Sequence, residues 1–436
     1  MYLIHDLNQM DKNYRLNKSK VFCMAPWVTL NSNPNGDIIP CCLAKSQPAF
    51  GNLYEDKIEN IWNNEQFKKL RLDMLNDVPN ETCQSCYKSN DWGSNSTYRT
   101  YWNDRYGHRY DQLVPQTNVD GSLNTMNLYR WDFRFNNLCN LACVMCGPSL
   151  SSSWVELHKR LEPTAPKFKI YSSNENKQDF IKTIKSQAST VDSIYFAGGE
   201  PLMHSEHYEI LTELDRLNKL DQVEFMYSTN LTNLQFKNYK VTGYWNKMKN
   251  CKVLVSLDEV DPARLYYIRY PSNIDLIIKN IQEIRNSLPT VKKHWSIVPA
   301  WSILNLHRMK DIIEYFYVND LLPYSFKDSV SWEIDMHNII VTHPTHFSIS
   351  NAPAEWKEYL HQTLNEFEEW YINTLLPLKS DEARFFALRI LEGNMNKFRN
   401  SLKEKAEPVN YELLKKLDEV RGTNFAQTFP ELKFLL

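Results

Sequence analysis

Net charge is almost absent from this chain: 50 lysines and arginines stand against 52 aspartates and glutamates, a formal −2 at pH 7. That balance offers no electrostatic footprint for a polyanion or an anionic membrane, which argues against nucleic acid as a partner. Missing too is any run of about eighteen consecutive apolar residues, the length a bilayer-spanning helix needs. The first residues, M-Y-L-I-H-D-L-N-Q-M-D-K-N, show no basic stretch followed by an apolar one, so the reading is a cytoplasmic protein without an export leader. Internal repeats and low-complexity tracts do not occur. Cysteine is plentiful. Nine cysteines without an export signal argue for metal or cluster binding in a reducing compartment rather than for a disulfide framework. At 436 residues the chain exceeds one ordinary core, and two or three domains are expected.

The densest chemistry lies in N-N-L-C-N-L-A-C-V-M-C-G, residues 136–147, with thiols at Cys139, Cys143 and Cys146. Three cysteines on one short loop can bind three irons of a cubane and leave the fourth open, whereas a closed cluster takes four. A strand later, V-D-S-I-Y-F-A-G-G-E-P-L ends in Gly198, Gly199, Glu200 and Pro201. Two glycines let a ligand approach the backbone, and a carboxylate accepts hydrogen bonds from an ammonium group. The C-x3-C-x2-C loop followed by G-G-E-P resembles the signature of radical S-adenosylmethionine (AdoMet) enzymes. The resemblance implies a [4Fe-4S] cluster whose open iron is chelated by the amino and carboxylate groups of AdoMet. Glu200 would then face the amino group, and Met145 takes a position that is usually apolar in the family.

Upstream, F-C-M-A-P-W-V-T-L-N-S-N-P-N-G-D-I-I-P-C-C reads as a hairpin around Asn33-Pro34-Asn35-Gly36 that brings Cys23 towards Cys41 and Cys42. An apolar helical face follows, made of Ile58, Ile61, Trp62, Phe67, Leu70 and Leu75, and then Cys83-Gln84-Ser85-Cys86. The spacing of Cys23, Gly36 and Cys41 with the later C-x2-C resembles the auxiliary-cluster modules called SPASM and, in the shorter form, Twitch. The resemblance implies a second [4Fe-4S] cluster on Cys23, Cys41, Cys83 and Cys86. Cys42, adjacent on an extended strand and so facing the other way, reads as a buried thiol. The alternative is a zinc ribbon, since two cysteine pairs also suit tetrahedral zinc. In most relatives the module follows the catalytic domain; here it precedes it.

Residues 88–126 are rich in Tyr, Trp and Asn without periodicity and read as an ordered connection in which Trp92, Tyr101, Trp102 and Tyr106 pack. Strands are then expected at Y-R-W-D-F-R-F-N, at the run before Gly198, and at V-E-F-M-Y-S-T-N, V-L-V-S-L-D-E and H-W-S-I-V-P-A-W, with helical stretches between them. Alternating βα units imply a parallel α/β sheet. About six of them would make the open, partial (β/α)6 TIM-like barrel of the radical AdoMet type. Polar residues at the strand ends give ribose-side candidates under that resemblance, Ser256 and Asp258, with Asn230 beside them. Arg269 in Y-I-R-Y-P is offered as a partner for the AdoMet carboxylate or, equally, for a surface ion pair. His204 and His207, spaced i, i+3, read as helix-capping or surface residues, and Cys251 as a core thiol. Beyond residue 354 three amphipathic helices read as cover for the barrel. The expected division is a cysteine-rich module over 1–110, a connection over 111–126, a core over 127–345 and a helical extension over 346–436.

The resemblance implies that a reduced cluster cleaves AdoMet and that a 5'-deoxyadenosyl radical takes hydrogen from a substrate; no further catalytic side chain is assigned. Relatives with auxiliary clusters often modify peptides, so a peptide or protein side chain is the first expectation and a small metabolite or nucleotide the second. A flavodoxin- or ferredoxin-like protein would supply electrons. Two rivals are a non-catalytic iron-sulfur electron-transfer or scaffold protein and a zinc-stabilised binding module.

Overall fold

The computed structural model describes residues 12–91, 98–164, 167–171, 175–290, 292–328, 339–405 and 411–436. Trp92 lies outside them. In chain order the strands among the described residues are β1 (Thr29–Ser32), β2 (Ile38–Ile39), β3 (Arg130–Phe133), β4 (Ala142–Cys143), β5 (Ser193–Phe196), β6 (Glu224–Thr229), β7 (Gln235–Phe236), β8 (Tyr239–Lys240), β9 (Asn250–Val255), β10 (Arg269–Tyr270), β11 (Lys293–Ile297), β12 (Ala300–Trp301) and β13 (Ile339–Ile340). Two compact units share them. One consists of Met1–Asn136, Tyr171–Gly198 and Ser205–Glu224, the other of Asn137–Ile170, Gly199–His204 and Phe225–Leu436.

In the first unit the strand order is β5-β3-β1-β2. The expected hairpin is present: β1 and β2 run antiparallel with Asn31 opposite Ile39, and Gly36 closes the turn at φ +86°. What its sequence did not announce is the other edge of β1, which pairs in parallel with β3, Thr29 opposite Arg130 and Ser32 opposite Phe133. The hairpin of the cysteine-rich segment is therefore part of the same sheet as β3. The alternation in β3 has an unexpected outcome as well, since all four of its residues are buried. Trp131 and Phe133 fill the apolar side, while Arg130 donates to Ser193 Oγ (2.8 Å) and Asp132 accepts from the Asn31 amide. Both faces of a sheet covered by protein leave no solvent side for the polar positions, which must find partners inside.

The single apolar helix read across residues 58–75 is two helices, Ile58–Trp62 and Glu65–Leu75. The break is chemical: the Asn64 side chain accepts from Phe67 N (3.0 Å) and starts the second helix as its N-cap. All six residues of the expected face are buried nonetheless. The stretch read as an ordered connection without periodicity carries helices at Tyr98–Tyr106 and Tyr110–Leu113. Trp102 and Tyr106 stack there at 5.7 Å, so aromatic packing substitutes for the missing periodicity.

The second unit carries the order β11-β9-β6, with β9 parallel to β11 and Val253 opposite Trp295. Cys251 is a core thiol, 1 % exposed. The C-terminal helices, Ala354–Trp370, Asp381–Lys403 and Glu412–Arg421, bury residues at three- and four-residue intervals, such as Ala383, Ala387, Leu391, Met395 and Phe398. Leu417 of the last packs on Ala142, Trp154 and Leu157. No helix among the described residues is long and apolar enough to cross a membrane.

One buried cation ties the first unit together. Arg71 donates to the carbonyls of Pro26 (3.0 Å), Trp62 (2.8 Å) and Gly121 (3.2 Å) and lies 4.5 Å above the Trp62 ring. Burial pulls its guanidinium down to about 9. Replacing it with Met keeps the stem and strands three carbonyls, so Arg71→Met should cost roughly 3 kcal/mol in urea unfolding of the metal-free chain. A loss below about 1 kcal/mol would mean that water reaches those carbonyls.

Candidate functional site

The loop carrying Cys139, Cys143 and Cys146 has almost no regular structure of its own, so side chains from elsewhere must satisfy its backbone. The helix Ser152–Leu161 supplies many of them. Ser151 Oγ donates to Leu141 O (2.6 Å), Ser153 Oγ to Cys139 O (2.8 Å) and Trp154 Nε1 to Cys143 O (2.7 Å), while Cys139 N donates to Ser152 Oγ (3.1 Å). Sequence reasoning passed over this S-S-S-W run; three hydroxyl residues at the start of a helix following a cysteine loop were the available signal.

The second support is β10, antiparallel to β4, which sets Arg269 opposite Cys143 and Tyr270 opposite Ala142. Arg421, from the C-terminal helix, donates to Ala142 O (2.6 Å) and to Tyr267 O (3.3 Å) and lies over the rings of Trp154 and Tyr270. Nothing local in the sequence identifies Arg421, because its partners lie more than 150 residues away.

The Gly-Gly-Glu-Pro turn is the third support. Both glycines have positive φ, +83° at Gly198 and +53° at Gly199. The space each leaves is taken by the chain itself: a Cβ on Gly198 would strike the Arg134 side chain, and one on Gly199 the Leu138 carbonyl oxygen. That carbonyl accepts from Glu200 N (2.7 Å) and lies 3.1 Å from His204 Nε2. His204 and His207 are buried, not at the surface. His204 sits against the cluster loop, and His207 packs edge-on against Phe196.

Glu200 is 1 % exposed. Its carboxylate accepts from Thr229 Oγ1 (2.6 Å), Asn230 N (2.7 Å) and Leu202 N (3.2 Å). Burial raises its pKa to about 7 against the pull of those donors and of Arg269. Asn230 touches both sides of the site, since its amide Nδ2 lies 3.0 Å from Asn140 Oδ1 and 3.9 Å from Cys139 Sγ. Burial, then the neighbouring Cys143 and Glu200, lifts the Cys139 thiol to about 12. Cys143 is lowered by its hydrogen bond with Cys146, against burial and with help from Arg269 and Arg421, and Cys146 is raised correspondingly.

Of the remaining candidates, Met145 and Ser256 are half-buried, with Ser256 N bonded to Thr229 O (2.8 Å), and Pro201 is buried behind Glu200. Asp258 is completely buried, and its carboxylate meets Arg269 Nε (2.6 Å), Arg269 Nη2 (3.0 Å) and Ala300 N (2.7 Å). Arg269 is buried too, so it makes no surface ion pair.

In the first unit Cys23, Cys41, Cys83 and Cys86 border one void with Leu70, Met74, Tyr87 and Trp102. Cys42 does not line it. The chain leaves its strand at Ile39 and turns, Ala44 N bonding to Cys41 O (3.0 Å), so the two thiols diverge through a turn rather than along an extended strand. Cys42 is half-buried, hydrogen-bonded to the Tyr98 hydroxyl and close to Asp132. Burial pushes the Cys83 thiol up to about 12 and raises those of Cys23 and Cys41 as well. Among the described residues, no three His, Cys, Asp or Glu side chains approach closely enough to hold a single metal ion. Four thiols around a void fit a body wider than one zinc with bonds of about 2.3 Å, and a cluster is such a body.

Residues 133–316 match the family model described as the radical SAM superfamily, and residues 23–87 match SPASM, an iron-sulfur cluster-binding domain. No curated protein matches the chain. Similar solved structures include native anSMEcpe with bound AdoMet, 16 % identical, covering 54 % of this chain and 59 % of that one at a TM-score of 0.36. Another is SuiB of Streptococcus suis bound to precursor peptide SuiA, 12 % identical, covering 71 % and 63 % at a TM-score of 0.34. The chain thus spans about three fifths of the length of these structures. A radical SAM domain works with a [4Fe-4S] cluster and AdoMet, and a SPASM domain with auxiliary clusters; these are the cofactors of this chain.

The divergence of Cys41 and Cys42 yields a direct assay. Anaerobically reconstituted protein should hold about eight irons per chain; Cys41→Ala should reduce that to about four, and Cys42→Ala should leave it unchanged. The reverse pattern would make Cys42 the ligand, and about four irons with added zinc in the unmodified protein would restore the ribbon.

Proposed function

We propose that this chain, whose residues 133–316 form a radical SAM domain behind a SPASM iron-sulfur module, is an enzyme that cleaves AdoMet reductively and uses the radical on a peptide or protein side chain. The reduced cluster and AdoMet supply that chemistry when bound, through one-electron cleavage of the sulfonium C–S bond and hydrogen abstraction by the 5'-deoxyadenosyl radical. The protein's own part is to hold, orient and exclude water.

One observation carries the reading. Asn230 gives its main-chain N–H to Glu200 Oε2 at 2.7 Å and holds its side-chain amide 3.9 Å from Cys139 Sγ. A single residue therefore spans from the carboxylate that suits an amino group to a thiol of the cluster loop, the proximity an amino acid chelating an iron requires. In this reading Cys139, Cys143 and Cys146 hold three irons, Glu200 accepts from the N–H of the AdoMet amino group and Thr229 and Asn230 fix the Glu200 carboxylate. Gly198, Gly199 and Pro201 shape that turn, and Met145 and Ser256 border the cofactor. Asp258 and Arg269 hold one another beside Cys143. The peptide substrate rests on the auxiliary module, because relatives carrying one often modify peptides, and a flavodoxin- or ferredoxin-like donor would feed the first electron.

Changing Cys139, Cys143 and Cys146 together to Ala should remove one cluster and all 5'-deoxyadenosine formation by the reduced protein, while the auxiliary cluster stays. Cleavage surviving that change would sink the proposal.

Glu200 gives a graded test. Glu200→Gln keeps the shape and loses a charge-assisted bond of about 1.5 to 3 kcal/mol, so AdoMet affinity should fall roughly ten- to a hundred-fold with the cluster spectrum intact. A carboxyl raised to about 7 in the empty site is neutral below that pH and ionised above it. A charge-assisted bond from the amino N–H needs the ionised form. Affinity should therefore be full above pH 7 and weaken by about tenfold per unit as pH falls below it, at about 1.4 kcal/mol per decade. Isothermal titration across pH 5.5 to 8.5 reads the slope; a slope unchanged in Glu200→Gln would assign it to another group.

A further inference from the structure

Building on a cluster at Cys139, Cys143 and Cys146, we propose that Arg269, locked by Asp258, is a fixed cationic hydrogen-bond donor to the Cys143 sulfur that raises the reduction potential of that cluster. The placement begins in the backbone. The two-residue pairing of β10 with β4 puts Arg269 directly across from Cys143, and Val144 N bonds to Ile268 O (2.8 Å) to continue the register. From there the guanidinium reaches back, and Nη1 stands 3.7 Å from Cys143 Sγ.

The other edge of the same planar group is occupied. Nη2 donates to Asp258 Oδ1 at 3.0 Å, and Nε stands 2.6 Å from Oδ2 as an ion-pair contact, so the carboxylate lies along one edge of the guanidinium. Asp258 is itself immobile: Oδ1 also accepts from Ala300 N (2.7 Å), and its main-chain carbonyl accepts from Asn305 Nδ2 (2.9 Å). With Asp258 wholly buried and Arg269 8 % exposed, neither side chain has solvent into which to swing. One carboxylate thus holds the guanidinium from one edge, and Nη1 on the other donates towards the Cys143 sulfur.

Arg421 provides the contrast. It is also close to this loop, but its two terminal nitrogens donate to the carbonyls of Ala142 and Tyr267, which makes it a clamp on the backbone of β4 and on the segment before β10. Of these two buried guanidiniums, Arg269 addresses a sulfur.

The sign follows from charge. Reduction adds one electron to a cluster whose thiolates share the negative charge, and a cationic donor at a ligating sulfur stabilises the reduced form more than the oxidised one. Arg269 would make the cluster easier to reduce. Under the rival reading, in which Arg269 binds the AdoMet carboxylate, the empty cluster's potential would not depend on it.

The test is a reductive titration of the reconstituted full-length protein without AdoMet, following by electron paramagnetic resonance the signal that AdoMet perturbs in the unmodified protein. Arg269→Gln should lower the ratio of reduced to oxidised cluster at fixed potential by about tenfold, a shift of about 59 mV to more negative values for one electron. Arg269→Lys keeps the charge, but a compact ammonium cannot serve carboxylate and sulfur together in the same plane, so its potential should also fall below that of the unmodified protein, by less. If Gln cannot hold the cluster, the Lys variant decides alone. A variant that titrates at the unmodified potential overturns the proposal, and weakened AdoMet binding at that same potential would return Arg269 to the carboxylate role. Absence of any AdoMet-sensitive signal in the unmodified protein would instead refute the cluster reading beneath it.

Discussion

The backbone of residues 137–151 cannot satisfy itself. It must present three thiols in one place, which rules out a helix or a long strand, and yet much of it is buried, where an unpaired N–H or C=O costs about 1 to 3 kcal/mol. The second unit can be understood as the answer to that constraint. Serines at the start of a helix take the carbonyls of Cys139 and Leu141, Trp154 takes that of Cys143, the Gly-Gly-Glu turn takes Leu138 and Arg421 takes Ala142. A loop held by so many separate elements can keep its backbone, and so its three thiols, in one place before any cluster arrives. Such preorganisation keeps the geometry out of the cost of binding.

The same network explains why the C-terminal helices are more than cover. Leu417 and Arg421 lie one turn apart on the last long helix; the first seals the apolar side of the loop and the second bonds its backbone. The amphipathic pattern that made the helix legible in sequence gave only the sealing half. An arginine at the end of an amphipathic helix is indistinguishable, locally, from one favoured there by the helix dipole.

How much could be read in advance follows the range of the interactions. Short-range signals were legible: the cysteine spacings, the Gly-Gly-Glu-Pro turn, the strands ending at Thr229 and Val255 and the hairpin around Gly36. Each is written in a dozen consecutive residues. Long-range ones were not. Nothing near Thr29 indicates that it pairs with Arg130, so the cysteine-rich hairpin read as separate from the strand it joins. Asp258 shows the limit at the site itself. Its position at a strand end suggested a ligand for ribose, whereas its carboxylate meets Arg269 and Ala300 N, a relation set by the crossing of three segments. The helix break at Asn64 and the burial of His204 escaped the sequence for a different reason, one a cap and the other packed against a carbonyl, because a polar side chain reports its partner only once the partner is in place.

The central claim is that AdoMet binds with its amino nitrogen on the open iron of the cluster at Cys139, Cys143 and Cys146. Electron-nuclear double resonance on the reduced, reconstituted protein, with AdoMet labelled by nitrogen-15 at the amino group, measures that bond directly. The account predicts a hyperfine coupling from the labelled nitrogen to the cluster spin, of the strength a directly bonded ligand gives. A reduced cluster with AdoMet bound and no such coupling would contradict it.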